Sequence, residues 1–249
     1  MAGFDRKTAL VTGAGRGIGR AAAMAFAKAG ANVVLVARTA TTIEAVAAEI
    51  AAKGGKSLAI AGDVSRDEDI ARIIEASVQR FGGIDILVNN AAIIPASKNL
   101  VDSDPALWRQ VIEVNLVAPA LLTRAVLPGM IAKKTGKIIN ISSIGGRNGG
   151  RGRSAYRASK AGLINLTQSV AAEVKVHGID VNCICPGGVD TEGLWESLGP
   201  ELKGGRDTLI KPAEIAEVVL FLASPAGSAI TGTSIDAFGL SNPIFRSLP

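Results

Sequence analysis

Residues 7–19 read Lys-Thr-Ala-Leu-Val-Thr-Gly-Ala-Gly-Arg-Gly-Ile-Gly, a short apolar run followed by a glycine-rich turn. The apolar run predicts a buried strand over 7–11, and the Ala-rich residues from about 17 to 28 predict a helix. Glycines allow a tight turn, and the N-terminus of the following helix attracts an anion. Because the glycines follow a strand and open a helix, the stretch predicts a nucleotide-binding turn.

Apolar strand candidates and helical stretches alternate along the rest of the chain. Six more strands are predicted at 32–37, 57–61, 84–88, 137–141, 180–184 and 234–236. The other helices are predicted at 41–53, 66–80, 105–133, 154–177 and 212–223, with irregularities at Pro119 and Pro128. Near-continuous apolar strands that alternate with helices predict a doubly wound α/β fold, a parallel seven-stranded sheet with helices on both faces. We expect one domain over residues 1–249, with an insertion at about 191–211.

Composition narrows the classes of protein. The net charge of +5 is mild, and no basic run is typical of a nucleic-acid-binding arm, so it indicates at most a preference for anionic ligands. No apolar run approaches the roughly 20 residues that span a bilayer. The N-terminus has no secretory signal, which predicts a cytoplasmic protein that binds no membrane. Cys183 and Cys185 have no second pair of ligands for a metal, and we expect both to be small buried side chains.

Tyr156 and Lys160 lie four residues apart in the predicted helix 154–177, and so share one helix face. A free tyrosine has a pKa of about 10. A neighbouring ammonium group favours the phenolate and lowers that pKa. The pair is therefore a candidate proton donor with its own tuning charge, although the same spacing occurs on ordinary surface helices.

The motifs taken together resemble the short-chain dehydrogenase/reductase family, in the single-domain branch of 3-oxoacyl-[acyl-carrier-protein] reductase-like enzymes. The resemblance covers nearly the whole chain and implies a Rossmann fold. Ala92 departs from the family pattern, which has a glycine there. The resemblance is carried by 12–19, Asn89-Asn90-Ala91, Asn115, Ile141-Ser142-Ser143, Tyr156-x-x-x-Lys160, and Pro186-Gly187 with Thr191.

The resemblance implies a catalytic set for interconverting a ketone and a secondary alcohol. Tyr156 is expected to give a proton to the carbonyl oxygen, and Ser143 to bond the same oxygen. Lys160 is expected to bond the nicotinamide ribose and lower the pKa of Tyr156. Asn115 is expected to hold a water molecule that extends a proton relay from Lys160.

The end of the second predicted strand indicates which dinucleotide is used. An acidic residue there binds a ribose 2′-hydroxyl, whereas an arginine accommodates a 2′-phosphate. Arg38 follows Ala37, and Arg16 is a second cation within the glycine turn. We therefore expect NADP(H), although NAD(H) is possible if Arg38 stacks on adenine. The resemblance adds cofactor contacts at Gly13, Gly15, Gly17, Ile18, Gly19, Asp63, Val64, Asn90, Ala91, Tyr156, Lys160, Pro186, Gly187, Val189 and Thr191.

The substrate, a small carbonyl or alcohol compound, is expected at the other end of the site. The insertion at 191–211 carries Leu194, Trp195, Leu198 and Leu202 at near-helical spacing, which suggests a flexible lid with an apolar inner face. These side chains could instead pack on the scaffold. The expected substrate contacts are Ile94, Ser143, Gly145, Tyr156, Gly188 and Trp195.

Several alternatives stay open from the sequence. It does not select among 3-oxoacyl thioesters, steroids, cyclic ketones and xenobiotic carbonyls. An NAD-dependent alcohol or steroid dehydrogenase and a non-catalytic nucleotide sensor are the rival functions. Arg147, Arg151 and Arg153 form a basic loop that is either solvated or steers an acidic substrate or an acyl carrier protein. By the resemblance and the apolar residues 238–245, we expect a homotetramer.

Overall fold

Seven parallel strands form one sheet in the computed structural model, which describes residues 3–198 and 206–241. Their order across the sheet is β3-β2-β1-β4-β5-β6-β7, which confirms the doubly wound fold. The order reverses between β1 and β4, and such a switch point opens a crevice at the carboxyl ends of the strands. The strands are β1 Thr8–Thr12, β2 Asn32–Ala37, β3 Lys56–Ala61, β4 Ile86–Asn89, β5 Gly136–Ile141, β6 Ile179–Pro186 and β7 Ser234–Ala237.

Eight α-helices within the described ranges surround the sheet. Six were predicted, and the difference has two sources: the long helix 105–133 is divided, and the insertion contributes a short helix. The helices are α1 Gly17–Lys28, α2 Ala40–Ala52, α3 Asp67–Phe81, α4 Pro105–Ile112, α5 Ala118–Lys133, α6 Ser154–Val174, α7 Glu192–Leu198 and α8 Pro212–Ala223.

Two apolar cores lie on the two faces of the sheet. Neighbouring residues of β2 alternate between them, with Val33 and Leu35 on one face and Val34 and Val36 on the other. The first core includes buried residues of α1, α2 and α8, and the second includes buried residues of α3, α5 and α6. Both faces of each inner strand are therefore buried, which explains why the strands are near-continuous apolar runs.

A π-helical turn over Glu113–Val117 joins α4 to α5. Pro119 has no N–H to donate to the carbonyl of Asn115, which interrupts the α-helical pattern of hydrogen bonds at this point. The predicted irregularity is thus present, and it lies just before Pro119. Turns of this kind are frequent at functional sites, and here the turn holds Asn115 fully buried.

The stretch Pro105–Lys133 has the length and hydropathy of a membrane-crossing helix, with a mean hydropathy of 1.5 over its best window. The expectation that no apolar run approaches the length of a membrane span is therefore wrong for this stretch. A core helix of a globular protein passes the same criterion. Leu122, Val126 and Met130 of this stretch are buried in the second core, as expected for such a core helix.

The insertion predicted at 191–211 is described in part. Its described residues form α7 and a 3-10 turn at Arg206–Thr208. Leu202 and residues 242–245 of the apolar tail lie outside the described residues. The lid therefore stays a prediction.

Candidate active site

The glycine turn between β1 and α1 needs its glycines for geometric reasons. Gly13 and Gly17 have φ angles of 65° and 54°, in the left-handed region that side chains disfavour. A Cβ atom on Gly19 would lie 2.2 Å from the carbonyl oxygen of Gly13. The turn therefore packs directly on the first turn of α1, with no side chain between them.

The N-terminus of α1 is open to an anion. Its N-cap residue, Arg16, makes no capping hydrogen bond, and its first turn contains no acidic residue. The first N–H groups of a helix lack intrahelical partners and favour a phosphate group. These features fit the pyrophosphate of a dinucleotide.

Asn90 braces the turn from the end of β4. Its Nδ2 donates to the backbone oxygens of Thr12 and Gly13, at 2.8 and 3.3 Å. In return, the Thr12 hydroxyl accepts from the backbone N–H groups of Asn90 and Ala91, both at 3.0 Å. Asn90, predicted near the adenosine ribose, thus lines the cleft while its amide N–H groups hold the turn in place.

The end expected to take adenine is formed by the residues that follow β2 and β3. Arg38 lies exposed at the mouth of the cleft, and no ion pair links it to another described residue. Asp63 is held in a tight turn because its Oδ1 accepts from the N–H and hydroxyl of Ser65, at 3.0 and 2.7 Å. Val64 is buried beside it. This end of the cleft therefore has a guanidinium with no ion-pair partner among the described residues, next to the turn that holds Asp63 and Val64.

Arg16 lines the cleft, and its role as a second cation for a 2′-phosphate stays a prediction. Its guanidinium forms a two-pronged ion pair with Glu196 of α7, in which Nη2 and Oε2 lie 2.9 Å apart. The hydrogen bond with Glu196 raises the pKa of Arg16 and lowers the pKa of the carboxyl group. Arg16 therefore joins the glycine turn to α7.

Tyr156, Ser143 and Lys160 are brought together at the carboxyl end of β5. Ser143 hydrogen bonds to Tyr156, and its Oγ accepts from the N–H of Gly145 at 3.0 Å. The Nζ atom of Lys160 lies 5.8 Å from the centre of the Tyr156 ring and donates to the carbonyl oxygen of Ile141 at 2.7 Å. Ser142, the neighbour of Ser143, is buried and bonds the Lys160 carbonyl instead.

Tyr156 is not acidified overall in this structure, and the influence of Lys160 on its pKa stays a prediction. Burial raises the pKa of Tyr156 above its usual value, although the Ser143 hydrogen bond and the charges of Arg153 and Arg157 act in the opposite direction. Burial also lowers the pKa of Lys160 to about 8. In both groups the largest cause is desolvation, which penalises the charged form. At neutral pH the phenol is therefore protonated, as a proton donor must be.

Asn115 lies behind the cleft wall and does not line it. Its Oδ1 accepts from the N–H of Ile93 at 2.8 Å, and its Nδ2 donates to the Ile93 carbonyl at 3.0 Å. Nδ2 also donates to the Ser159 hydroxyl at 3.2 Å. Asn115 thus fixes the loop that follows β4 against α6, and its place in a water relay stays a prediction.

The segment after β6 closes the cleft on the side expected to take nicotinamide. Gly187 donates to the Ala237 carbonyl at 2.9 Å, and Val189 pairs with Ile210. The Thr191 hydroxyl accepts from the N–H of Leu194 at 3.2 Å and lies 3.4 Å from the Val189 carbonyl. Thr191 therefore caps the N-terminus of α7, and its side chain also packs beside Gly17.

The cleft has a volume of about 770 Å³ and runs from the end of β2 to α7. Most of the predicted site residues line it. Gly19, Asn115 and Trp195 are the ones that do not. The indole of Trp195 donates to Asp190 Oδ1 at 2.7 Å, whereas Leu194 and Glu196 of α7 face the cleft. The structure thus does not bring Trp195 to the predicted substrate position.

The arginines of the basic loop lie in different environments. Arg147 pairs with Asp236 at 2.7 Å, and Arg151 is exposed. Arg153 and Arg157 line the cleft beside Tyr156, and the sequence argument gave Arg157 no role. Arg153 lies three residues before Tyr156 and Arg157 one residue after it, and this spacing could have identified both as site residues. Glu196 was also missed, because no local pattern connects it with Arg16.

With the cleft described, the chain can be compared with known proteins. The family model described as short chain dehydrogenase matches residues 7–200. The chain belongs to the short-chain dehydrogenase/reductase family. It is therefore an oxidoreductase that acts on a carbonyl/alcohol pair with a nicotinamide dinucleotide.

Relatives of this short-chain dehydrogenase/reductase match it over nearly their full length. It is 42% identical over 240 residues to short chain dehydrogenase/reductase astE of Aspergillus oryzae, covering 92% of each chain. It is 38% identical to a 3-oxoacyl-[acyl-carrier-protein] reductase of Synechocystis, covering 96% of this chain and 98% of the other. A solved 3-ketoacyl-(acyl-carrier-protein) reductase of Brucella melitensis, complexed with NADH, superposes with a TM-score of 0.88 at 34% identity, covering 96% of this chain and 99% of that one.

Proposed function

We propose that this enzyme interconverts a ketone and a secondary alcohol with NADP(H), and that Tyr156 is the general acid in reduction. One observation carries the proposal: the protonated phenol of Tyr156 lies in one cleft with Ser143, Lys160 and a glycine turn open to an anion. When bound, the nicotinamide supplies the hydride in reduction and accepts it in oxidation. The protein must then position the carbonyl carbon and supply the proton.

Ser143 and Tyr156 are suited to act on one oxygen atom. The Ser143 oxygen accepts a hydrogen bond from Gly145, and its hydroxyl group hydrogen bonds to Tyr156, so the two hydroxyl groups lie side by side in the cleft. Two hydroxyl donors that converge on a carbonyl oxygen stabilise the negative charge that develops there during reduction. Tyr156 then transfers its proton to that oxygen, and in oxidation it takes the proton back.

Lys160 and Asn115 have supporting roles in this proposal. Lys160 keeps a positive charge beside the phenol at neutral pH, because even its lowered pKa is about 8. In this proposal that charge stabilises the phenolate left after proton transfer, and the ammonium group bonds a ribose hydroxyl. Asn115 bonds the backbone of Ile93 and the hydroxyl of Ser159 on α6. It thereby positions the loop that follows β4 opposite Tyr156.

NADP(H) is proposed over NAD(H) because of Arg38. It follows β2, is exposed at the cleft, and is preceded by Val36 and Ala37 in place of an acidic residue. A planar guanidinium suits a 2′-phosphate. NAD(H) is the second candidate, since the Brucella relative was solved with NADH.

A 3-oxoacyl thioester is the first substrate candidate, because the Synechocystis relative is a 3-oxoacyl-[acyl-carrier-protein] reductase. The cleft has apolar side chains, Ile94 and Leu194, near the catalytic end. The alternative is an NAD-dependent secondary alcohol or steroid dehydrogenase. A non-catalytic nucleotide sensor is the less favoured rival, because it would not need Ser143, Tyr156 and Lys160 at one point.

A panel of ketones and secondary alcohols, assayed by nicotinamide absorbance with both cofactors, tests the proposal. We expect reduction of at least one ketone class, with kcat/KM higher for NADPH than for NADH, and a preference that is lost in Arg38→Ala. A large preference for NADH in the wild-type enzyme would refute the phosphate assignment. Nucleotide binding without any turnover would favour the sensor.

We also propose a cytoplasmic homotetramer. Among the described residues, Leu100, Val101 and Leu240 are large apolar side chains with 66%, 89% and 64% exposure. Exposed apolar groups of this size are common at interfaces. Sedimentation should give a tetramer at micromolar concentration, and a monomer would contradict the assignment.

A further inference from the structure

Two arginines flank the catalytic tyrosine. Arg153 immediately precedes α6, and the N–H of Arg157 donates to the Arg153 carbonyl at 3.0 Å, so the two are one helical turn apart. Both side chains line the cleft and are partly buried. Their charges act on Tyr156, and they also act on each other.

Neither guanidinium has an acidic partner in the described part of the chain. Arg153 donates to the carbonyl and hydroxyl oxygens of Ser197, at 2.8 and 3.2 Å. Arg157 donates to the Asn148 carbonyl at 3.1 Å. All of these acceptors are neutral. The Nε atoms of both arginines are buried and make no hydrogen bond.

The acidic residues that line the cleft are engaged elsewhere. Glu196 pairs with Arg16, and Glu192 acts on the same arginine. Asp63 lies at the opposite end, held by Ser65. The part of the cleft around Tyr156 therefore has a net positive charge from its described residues.

Such an arrangement is costly unless an anion completes it. Like charges one helical turn apart destabilise a helix. A buried polar group without a partner is destabilising, and more so when it is charged. An anionic oxygen group held at the two arginines would offset their repulsion and give their N–H groups a charged acceptor.

We infer that Arg153 and Arg157 form an anion subsite beside Tyr156, which takes a carboxylate or phosphate group carried by the substrate. The inference rests on the proposed function, because it refines the substrate class of the same cleft. The Arg157 stem passes close to Gly145, beside the Ser143 hydroxyl, while its guanidinium lies against Gly150 and the Asn148 carbonyl. The substrate anion is therefore either the carboxylate of an oxo acid or the phosphate of a carrier arm.

Four ketones that share one acyl group test the inference. The first pair is 3-oxobutyrate and its methyl ester. The second pair is the 3-oxobutanoyl thioester of 4′-phosphopantetheine and that of pantetheine. Calorimetry with the NADP⁺-bound protein gives the dissociation constant of each ketone, because the oxidised cofactor prevents reduction.

We expect the anionic member of one pair to bind about tenfold or more tightly than its neutral partner, as for a charged hydrogen bond. Arg157→Gln and Arg153→Gln should each reduce the preference to within about twofold. Arg151→Gln is the matched control, because it removes the same charge from an exposed neighbour outside the cleft and should leave the preference unchanged. Arg157→Lys keeps the charge and should retain part of the preference, which provides a second variant if Arg157→Gln fails to fold.

A preference in the first pair identifies a carboxylate, and a preference in the second pair identifies a phosphate. Equal affinities in both pairs, no binding of any ketone, or an undiminished preference in Arg157→Gln would overturn the subsite. Reduction of the neutral ketones by NADPH tests the proposed function separately. If the protein binds no nucleotide, the proposed function fails, while the anion preference can still be measured on the protein alone.

Discussion

At the nucleotide end of the cleft, the groups that face a ligand are mainly backbone groups, whereas at the substrate end they are side chains. The glycine turn and the first turn of α1 offer N–H groups whose positions follow from the φ angles of Gly13 and Gly17. At the other end, Ser143 follows β5, Tyr156 and Arg157 lie on α6, and burial raises the pKa of Tyr156. A site made of backbone is sensitive to added volume, while a site made of side chains is sensitive to removed atoms and charges.

Removing one oxygen atom at the substrate end should have the largest effect. Tyr156→Phe should lower kcat by about 10²–10⁴-fold, the usual contribution of a positioned acid. The dissociation constant for NADPH should change little, because the backbone groups of the turn are untouched. Steady-state kinetics and a fluorescence titration measure the two quantities. Turnover close to wild type would remove Tyr156 from the mechanism.

Adding one methyl group at the nucleotide end should have the next largest effect. Gly19→Ala places a Cβ atom 2.2 Å from the Gly13 carbonyl oxygen, so the backbone must shift. We expect a loss of about 1–3 kcal/mol in stability, as for an overpacked core, and weaker NADPH binding. Gly129→Ala in α5 is the control, because its Cβ would meet open space. Equal NADPH affinity in both variants would show that the turn tolerates side chains.

Lys160 is expected to lower the stability of the folded protein while it supports activity. Its folded pKa of about 8 lies below the ordinary 10.5, so the folded state binds fewer protons than the unfolded state between those values. The free energy of unfolding should therefore rise as the pH rises through this window. Below it, burial of the charged ammonium group costs its full amount, about 3 kcal/mol. Lys160→Met should stabilise the protein at neutral pH by about 2 kcal/mol, after the loss of about 1 kcal/mol with the hydrogen bond to Ile141.

Urea denaturation of wild type and Lys160→Met from neutral to alkaline pH measures this effect. The difference in free energy of unfolding should shrink as the pH rises toward 10.5. The variant should also lose most of its activity. A variant that is less stable than wild type at neutral pH would show that the ammonium group contributes to folding.

The smallest effect is a change in the titration of Tyr156. It is the only tyrosine in the chain, so ultraviolet absorption by tyrosinate reports on it alone. We expect a pKa above 10.0, which rises further in Ser143→Ala and Arg157→Gln because both side chains lower it. The Arg151→Gln variant should titrate like wild type. A wild-type pKa below 10.0 would restore the original prediction of an acidified phenol.

The same comparison explains how much the sequence could predict. The strands were predicted because both faces are buried, and the glycine turn because its conformation requires glycine. The meeting of Ser143, Tyr156 and Lys160 followed from strand ends and helix spacing, with the family resemblance. These features depend on local backbone geometry, which neighbouring residues determine.

Other features depend on tertiary contacts and could not be predicted. Arg16 and Glu196 are 180 residues apart, and no local pattern indicates that they pair. The direction of the Tyr156 pKa shift depends on burial by several elements. Whether Trp195 or Leu194 faces the cleft depends on how α7 is rotated by the Arg16 and Arg153 contacts. The substrate end is therefore where the predictions needed correction.

A crystal structure of the enzyme with NADP⁺ tests the central claim most directly, because that claim is one of position: Tyr156 gives its proton where the nicotinamide meets the substrate. We predict that the pyrophosphate lies on the first turn of α1, and that nicotinamide C4 faces the Tyr156 hydroxyl across a gap the size of a carbonyl group. A nicotinamide bound away from Tyr156, with no loop movement able to close the gap, would contradict the account.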